Sequence, residues 1–259
     1  MYQRGDTIGV ALSGGKDSAA LGHILHSLRN RLRIGIVGLH VNMGLGEFSD
    51  ASEQAAGQLC ERLVVRMHTA RVADTGVRIE PVGKFHQCSV CGAVRRALLN
   101  RLTARLGVRV VATGHSLEDV LQFMLKGILS GRLDAPRPML EAASHRPRKI
   151  KPLYFMPEAA TKVYAEMLEL PHTEAVCTEF VPASHRFKEV FELLEAHAPM
   201  GKMQFAHALL KAMKPAVPEE MARTCAACGE PANATLCPIC RLREAQQGIA
   251  EQGRERDGE

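Results

Sequence analysis

The sequence predicts an α/β protein: a parallel sheet with helices on both faces, followed by C-terminal helices and a small cysteine-rich unit. Three observations carry that expectation. Short runs rich in Val, Ile and Leu alternate with helix-length amphipathic stretches between residues 7 and 129. A glycine pair, Gly14-Gly15, separates the first apolar run from the first helical pattern, as at a sharp strand-to-helix turn. The length of 259 residues suffices for one large α/β domain with an appendage, and 46% hydrophobic content is an ordinary globular value.

The elements follow in order. Strands are expected at Thr7–Leu12, Ile34–Val41, Val64–His68 and Val108–Thr113, where apolar residues run nearly unbroken, as in sheets buried on both faces. Helices are expected at Asp17–Arg29, Ser49–Arg62, Gly92–Leu106 and Leu117–Leu129. From Gly131 to Lys151 six basic residues stand against Asp134 and Glu141, with Pro136, Pro138 and Pro147, which predicts a mobile basic loop. Further helices are expected at Pro157–Leu168, Ala183–Ala196 and Lys202–Met213, with Pro215 and Pro218 marking a linker. The expected organisation is thus an α/β domain over 1–150, a mainly helical extension over 151–220, a small cysteine-rich ribbon over 221–242, and a charged, fraying tail over 243–259.

The turn after the first strand reads Ala11-Leu12-Ser13-Gly14-Gly15-Lys16-Asp17-Ser18. Its glycines let several backbone N–H groups converge on one anion, Lys16 adds a point charge, and Ser13 and Ser18 add hydroxyls. It is not a Walker A loop, because Val10 stands where that motif needs its first glycine and Asp17 follows the lysine. Thr113-Gly114-His115-Ser116 follows the fourth strand, so both segments sit at carboxyl ends of strands, where open α/β sheets bind ligands.

Six of the eight cysteines fall in Cys-x-x-Cys pairs. Cys225/Cys228 and Cys237/Cys240 form two knuckles that predict a closed, structural four-thiolate zinc site. Cys88/Cys91 has no second pair nearby; its remaining partners are Cys60, which falls in an amphipathic helical pattern, and Cys177, which falls in a loop-like stretch. Three cysteines of this kind suit an iron–sulfur cluster with one open iron, and spacing alone leaves zinc or a redox dithiol equally open.

The loop Ser13-Gly-Gly-Lys-Asp-Ser18 resembles that of the PP-loop ATP pyrophosphatases, of Rossmann-like, HUP-type fold, which split ATP between the α and β phosphates. Taken with Cys88-Ser-Val-Cys91-Gly92, Arg95-Arg96, Ala112-Thr-Gly-His-Ser-Leu-Glu-Asp119, Cys177 and the terminal ribbon, the chain resembles tRNA 2-thiolation enzymes of the TtcA/TtuA type over most of its length. The resemblance implies a 4Fe-4S cluster on Cys88, Cys91 and Cys177, and ATP activation of the C2 oxygen of a tRNA pyrimidine for replacement by sulfur. It implies catalytic roles for Lys16, Arg95 and Asp119, with Asp119 positioning Mg2+ or acting on protons. ATP binding is assigned to Ala11, Leu12, Ser13, Gly14, Gly15, Lys16, Asp17 and Ser18, with His40, Gly114 and Asp119.

Simpler readings accompany these roles: Glu118 and Asp119 also suit acidic capping of a helix, Arg95 a solvated helix face, and His115 a packed turn. Ser116 and Val120 replace the family's usual Asn and final acidic residue. No ribbon precedes Ser13, as one does in the 2-thiouridine branch, whereas the C-terminal ribbon is absent from the 2-thiocytidine branch. Expected partners are tRNA and a sulfur donor, either inorganic sulfide or a sulfur-carrier protein. Family members are often homodimers, although the sequence displays no self-complementary face. Net charge of +5 is compatible with nucleic acid. With no signal-peptide pattern and no apolar run near ~20 residues, the expected compartment is the cytoplasm and no membrane span is expected. Two other readings stay open on sequence alone: a PP-loop adenylating enzyme for a substrate other than tRNA, and a zinc-ribbon binding protein with a vestigial nucleotide site.

Overall fold

The computed structural model describes residues 2–83, 85–131, 137–143, 145–178, 186–212 and 223–257. Four strands, β1 (Thr7–Ala11), β2 (Gly35–Asn42), β3 (Met67–Arg71) and β4 (Val110–Thr113), alternate with helices α1 (Lys16–Leu32), α2 (Glu47–Leu63), α3 (Gln87–Arg105) and α4 (Leu117–Leu129). With β5 (Met139–Leu140) and β6 (Arg148–Ile150) they form one sheet in the order β3-β2-β1-β4-β6-β5. All pairings are parallel except β5 with β6. The loops that follow β1 and β4 therefore lie side by side, because β4 pairs with β1 on the side opposite β2.

Strand alternation sends residues to two cores. Ile8, Val10, Val110 and Ala112 point to the face covered by Leu21 and Leu25 of α1 and by Leu59 and Cys60 of α2. Leu39, Val37 and Val111 point to the other face, against Leu99 of α3. Gly9 is needed there, because a Cβ would run into Leu39 Cδ1. Each large apolar side chain removed from water contributes about 1.5–3 kcal/mol, so both faces hold the sheet. Cys60 is a core thiol, and burial pushes its pKa up to about 11.

Val64, expected to open the third strand, instead closes α2 in the left-handed conformation with φ 51°, so β3 begins at Met67. The basic stretch 131–151 also differs from expectation. Ile150 is buried, β6 pairs with β4 as the next parallel strand, and Ala143 bridges Arg146. A strand of three residues flanked by charges and prolines gives no periodic signal, which is why this sheet edge looks like loop in the sequence. Arg132, Asp134 and Pro136 lie outside the described residues, as do Ala183, Met213, Pro215 and Pro218.

Helices α5 (Glu158–Met167), α6 (Arg186–His197) and α7 (Gly201–Ala212) follow, close to the expected positions. Leu117, Leu121 and Met124 of α4 pack with Phe191 of α6 and Ala206 of α7 in a third cluster. The terminal unit is a two-strand hairpin, β7 (Arg223–Thr224) and β8 (Pro231–Ala232), then α8 (Pro238–Asp257). The tail expected to fray beyond Cys240 is thus a helix over most of its length. Pro238 opens it at the position where a missing N–H costs nothing, and Gln246 ties it to the backbone of Arg78 in both directions. Among the described residues no helix is long and apolar enough to cross a membrane.

Candidate active site

The loop between β1 and α1 is built by close backbone approach. Gly14 has φ +86° and an added Cβ would stand 2.6 Å from Ser52 Cα, so only glycine fits. A Cβ on Gly114 would meet the Asp17 carbonyl and the Ser18 nitrogen at 3.0 Å, so Gly114 lets the second loop press against the first. Ser18 Oγ accepts from the Ser13 N–H at 3.1 Å and donates to the Gly15 carbonyl at 2.8 Å, fixing the turn. Gly15 precedes α1 without a side-chain cap, so the first N–H groups of a 17-residue helix face outward together. That is an anion cradle.

A cavity of about 320 Å³ opens beyond β1 and β2, lined by Ser13, Gly15, His40, Phe48, Arg95 and Thr173, among others. His40 is 2% exposed and its Nδ1 lies 2.8 Å from the Leu12 carbonyl, which requires that nitrogen to carry the proton. Its Nε2 is buried with no partner among the described residues. Burial pushes the imidazole pKa down, so the ring is neutral at pH 7 and Nε2 is an acceptor for a polar group entering the cavity. A nucleoside fits that demand.

Lys16 lies in an ion network that the sequence did not disclose. Its Nζ donates to Glu158 Oε1 at 2.6 Å and to Asp17 Oδ2 at 3.1 Å. Lys188 of α6 donates to Glu158 Oε2 at 2.7 Å and stands 3.5 Å from Asp119. The Thr161 hydroxyl of α5 donates to Asp17. Burial opposes the Glu158 charge, but hydrogen bonds from Lys16 and Lys188 outweigh it and hold the carboxyl at about 2. Glu158 therefore occupies Lys16 where an anionic ligand can take its place. Neither Glu158 nor Lys188 lies in a motif, and only the docking of α5 and α6 brings them here.

Glu158→Gln is expected to lower stability at pH 7 by about 1 kcal/mol, or about 2–4 °C, after allowance for the carboxylate's partial exposure. The carboxyl is depressed in the folded state, so its contribution is complete above about 4.5 and shrinks as pH falls toward about 2. Thermal melts of both proteins across that range should converge at the acid end; parallel melts at every pH would contradict the network.

Asp119 has a structural duty as well. Ser116 and Asp119 form a reciprocal capping box at the start of α4, and Val120 is a buried core residue, which accounts for both departures in this motif. Glu118, 3% exposed, accepts from Lys202 Nζ and from the Glu158 N–H, both at 2.8 Å, and so serves packing rather than ligand binding. His115 is pushed down by burial, and its Nδ1 lies 2.8 Å from Thr113 Oγ1.

Cys88 and Cys91 occupy the first turns of α3. The Arg95 side chain lies along the next turn with Nη2 3.6 Å from Cys91 Sγ, while also lining the cavity. Burial raises the Cys91 thiol and the Arg95 charge counters it. The segment bearing Cys177 is held to the phosphate loop by the Thr173 N–H, which donates to the Gly14 carbonyl at 2.8 Å. Cys91 feels the charges of both Cys177 and Cys88.

The two thiol groups differ in scale. A tetrahedral zinc with sulfur at about 2.3 Å separates its sulfurs by about 3.8 Å. Cys228 and Cys237 Sγ are 3.8 Å apart, and the ligand atoms of Cys225, Cys228, Cys237 and Cys240 all lie within 4.8 Å of one another. Among the described residues no other group of three or more is so tight, and Cys88, Cys91 and Cys177 do not meet that limit. The terminal four match a single tetrahedral ion. The other three stand farther apart, with Cys88 and Cys177 within electrostatic reach of Cys91.

Residues 2–174 match the PP-loop domain family. The tRNA-5-methyluridine(54) 2-sulfurtransferase of Thermotoga maritima is 31% identical over 94% of this chain and 83% of its own. The protein of the same name from Pyrococcus horikoshii is 30% identical over 93% of this chain and 80% of its own. Among solved structures, the U34-tRNA thiolase NcsA of Methanococcus maripaludis, determined with its 4Fe-4S cluster, superposes with a TM-score of 0.77. It shares 24% identity and covers 92% of this chain and 80% of its own.

Proposed function

Since the chain belongs to the PP-loop domain family, we propose that it is an ATP-dependent tRNA sulfurtransferase acting at C2 of a pyrimidine. Adenylation transfers AMP from ATP to the C2 oxygen and releases pyrophosphate. Hydrosulfide then attacks C2, the C2–O bond breaks, AMP departs with the oxygen, and the sulfur-bound proton is lost to a base. Water would compete for the same activated carbon, so the reaction needs its sulfur source beside the nucleotide. The observation that supports this reading is the shared position of cradle and cysteines: Arg95 lines the cavity while contacting Cys91, and the Cys177 segment is tied to Gly14.

Each residue has a task consistent with its surroundings. The N–H groups at Gly14, Gly15 and Lys16 hold phosphate oxygens, and Ser13, Asp17 and Ser18 keep the turn in shape. Lys16 leaves Glu158 for the triphosphate. Ala11 and Leu12 form the cavity floor, Gly114 permits loop contact, and His40 Nε2 accepts a hydrogen bond from the nucleoside. Asp119 would position Mg2+ or take a proton, with the Lys188 ammonium 3.5 Å away. Cys88, Cys91 and Cys177 would hold a 4Fe-4S cluster, which would supply a binding site for sulfide. Arg95 balances thiolate charge beside it. Cys225, Cys228, Cys237 and Cys240 would hold Zn2+.

The sulfur donor in this proposal is inorganic sulfide or a sulfur-carrier protein, the protein acts in the cytoplasm, and it works as a homodimer. The Thermotoga and Pyrococcus relatives are named for 5-methyluridine, which makes that nucleoside the first to test. With anaerobically prepared protein, AMP release should require tRNA. Lys16→Ala should reduce that release ~10²-fold or more by removing a phosphate contact made in the transition state. AMP formation independent of tRNA would contradict the proposal.

A further inference from the structure

α3 divides two cavities. Arg95 and Leu99 face the nucleotide cavity, while Arg96, Ala97 and Asn100 face a larger cleft of about 950 Å³. The cleft lies between α3, the β5–β6 edge and the terminal ribbon, and Arg146, Lys149 and Arg241 line its other walls. Among the described residues none of Arg96, Arg146, Lys149 and Arg241 makes an ion pair with a carboxylate. Nearby cations do: Arg148 pairs with Glu141 at 2.9 Å, Arg109 with Asp6 at 3.3 Å and Arg105 with Glu230 at 3.6 Å. Repulsion within the cleft is felt, since Lys149 is driven down to about 8 by burial and then by Arg96, Arg146 and Lys151.

Uncompensated like charges in a concave surface destabilise the free protein and favour an anion that neutralises them. The charges sit on three separate elements, and the volume lies near the top of the range for small-molecule sites, so the shape suits an extended polyanion. The cleft and the nucleotide cavity lie on opposite sides of α3. Charges act across it all the same: Arg96 feels Cys91, five residues earlier on α3, and Lys149 acts on His115.

We infer that this cleft is the docking groove for the phosphodiester backbone of the RNA substrate, with Arg96, Arg146, Lys149 and Arg241 as its phosphate contacts. The inference rests on the tRNA sulfurtransferase reading, to which it adds a surface for the RNA backbone. Phosphate contacts of this kind set position rather than sequence preference, so the groove holds the RNA while base contacts lie nearer the cysteines.

The test is fluorescence anisotropy of a labelled, unmodified tRNA transcript with full-length protein across a KCl series. Arg146→Gln/Arg241→Gln should weaken binding ~10-fold at 150 mM KCl and reduce the slope of log K against log salt by about 1 for each cation removed. Arg241→Glu alone, at an exposed helix position, should reduce affinity without a change in melting temperature. The charge-preserving Arg146→Lys/Arg241→Lys pair should retain affinity, and Arg31→Gln/Arg66→Gln, away from the cleft, should bind as wild type. ATP affinity should be unchanged in all of them. Wild-type affinity and slope in the cleft variants would overturn the groove, as would weakened binding explained by a changed oligomeric state. Absence of tRNA binding by the wild-type protein would overturn the sulfurtransferase reading along with it, which separates the two failures.

Discussion

Replacing Cys177 with serine is expected to lower tRNA thiolation ~10³-fold or more while ATP affinity stays within about twofold of wild type. The two effects separate because, among the described residues, the segment is tied to the cradle through backbone: the Thr173 N–H donates to the Gly14 carbonyl, and that bond survives a change four residues on. Serine keeps the volume but is a poor ligand for iron at neutral pH, since its hydroxyl does not ionise there. Cys91 would be left with Cys88 alone within reach, and anaerobic iron content should fall well below the roughly four atoms expected per chain. The measurement is iron analysis with thiolation and ATP binding on one preparation. Retained thiolation in the serine variant would remove the cysteines from the chemistry and favour an adenylating enzyme of another kind.

Removal of the zinc proposed for the ribbon should have the larger effect on stability. About sixteen residues from Cys225 to Cys240 hold too little apolar surface to fold alone, and structural zinc contributes roughly 10–16 kcal/mol in isolated fingers at pH 7. The ribbon also completes a core: Cys225, Ile239 and Cys240 pack on Val90, Val94 and Leu98 of α3. Arg101 of the same helix donates to Cys228 Sγ at 3.2 Å and to Cys237 Sγ at 3.1 Å. Cys237→Ser is therefore expected to lower the melting temperature by about 10 °C, as losing a few kcal/mol does in a chain of this size. Iron loading should fall with it, because α3 carries Cys88 and Cys91. A variant that melts as wild type would show that the ribbon is not needed for α3.

Much of this architecture was legible in the residues. The apolar runs located β1, β2 and β4 with their helices, since these strands carry buried residues, whereas the run at Val64–His68 meets β3 only at Met67 and His68 because β3 is an edge strand without a buried residue. The glycines located the cradle, because Gly14 and Gly114 answer to backbone approach that no other residue permits. The ribbon was legible from spacing. What was not legible has a physical cause in each instance. Short β6 carries one buried side chain, Ile150, and no alternation long enough to read. Val64, a β-branched residue, sits in a left-handed helix cap where propensity argues against it. Glu158 and Lys188 meet Lys16 and Asp119 only through tertiary docking of α5 and α6, and amphipathic helices give no sign of which polar residue turns toward a distant loop.

The nucleotide loop and the three-cysteine group are thus two halves of one proposed reaction, and the modified nucleoside is its direct record. The decisive measurement is nucleoside mass spectrometry of bulk tRNA from cells with and without this protein. The account predicts loss of a single 2-thiopyrimidine, restored by the wild-type chain and not by Cys177→Ser. An unchanged set of thiolated nucleosides in cells lacking the protein would contradict it.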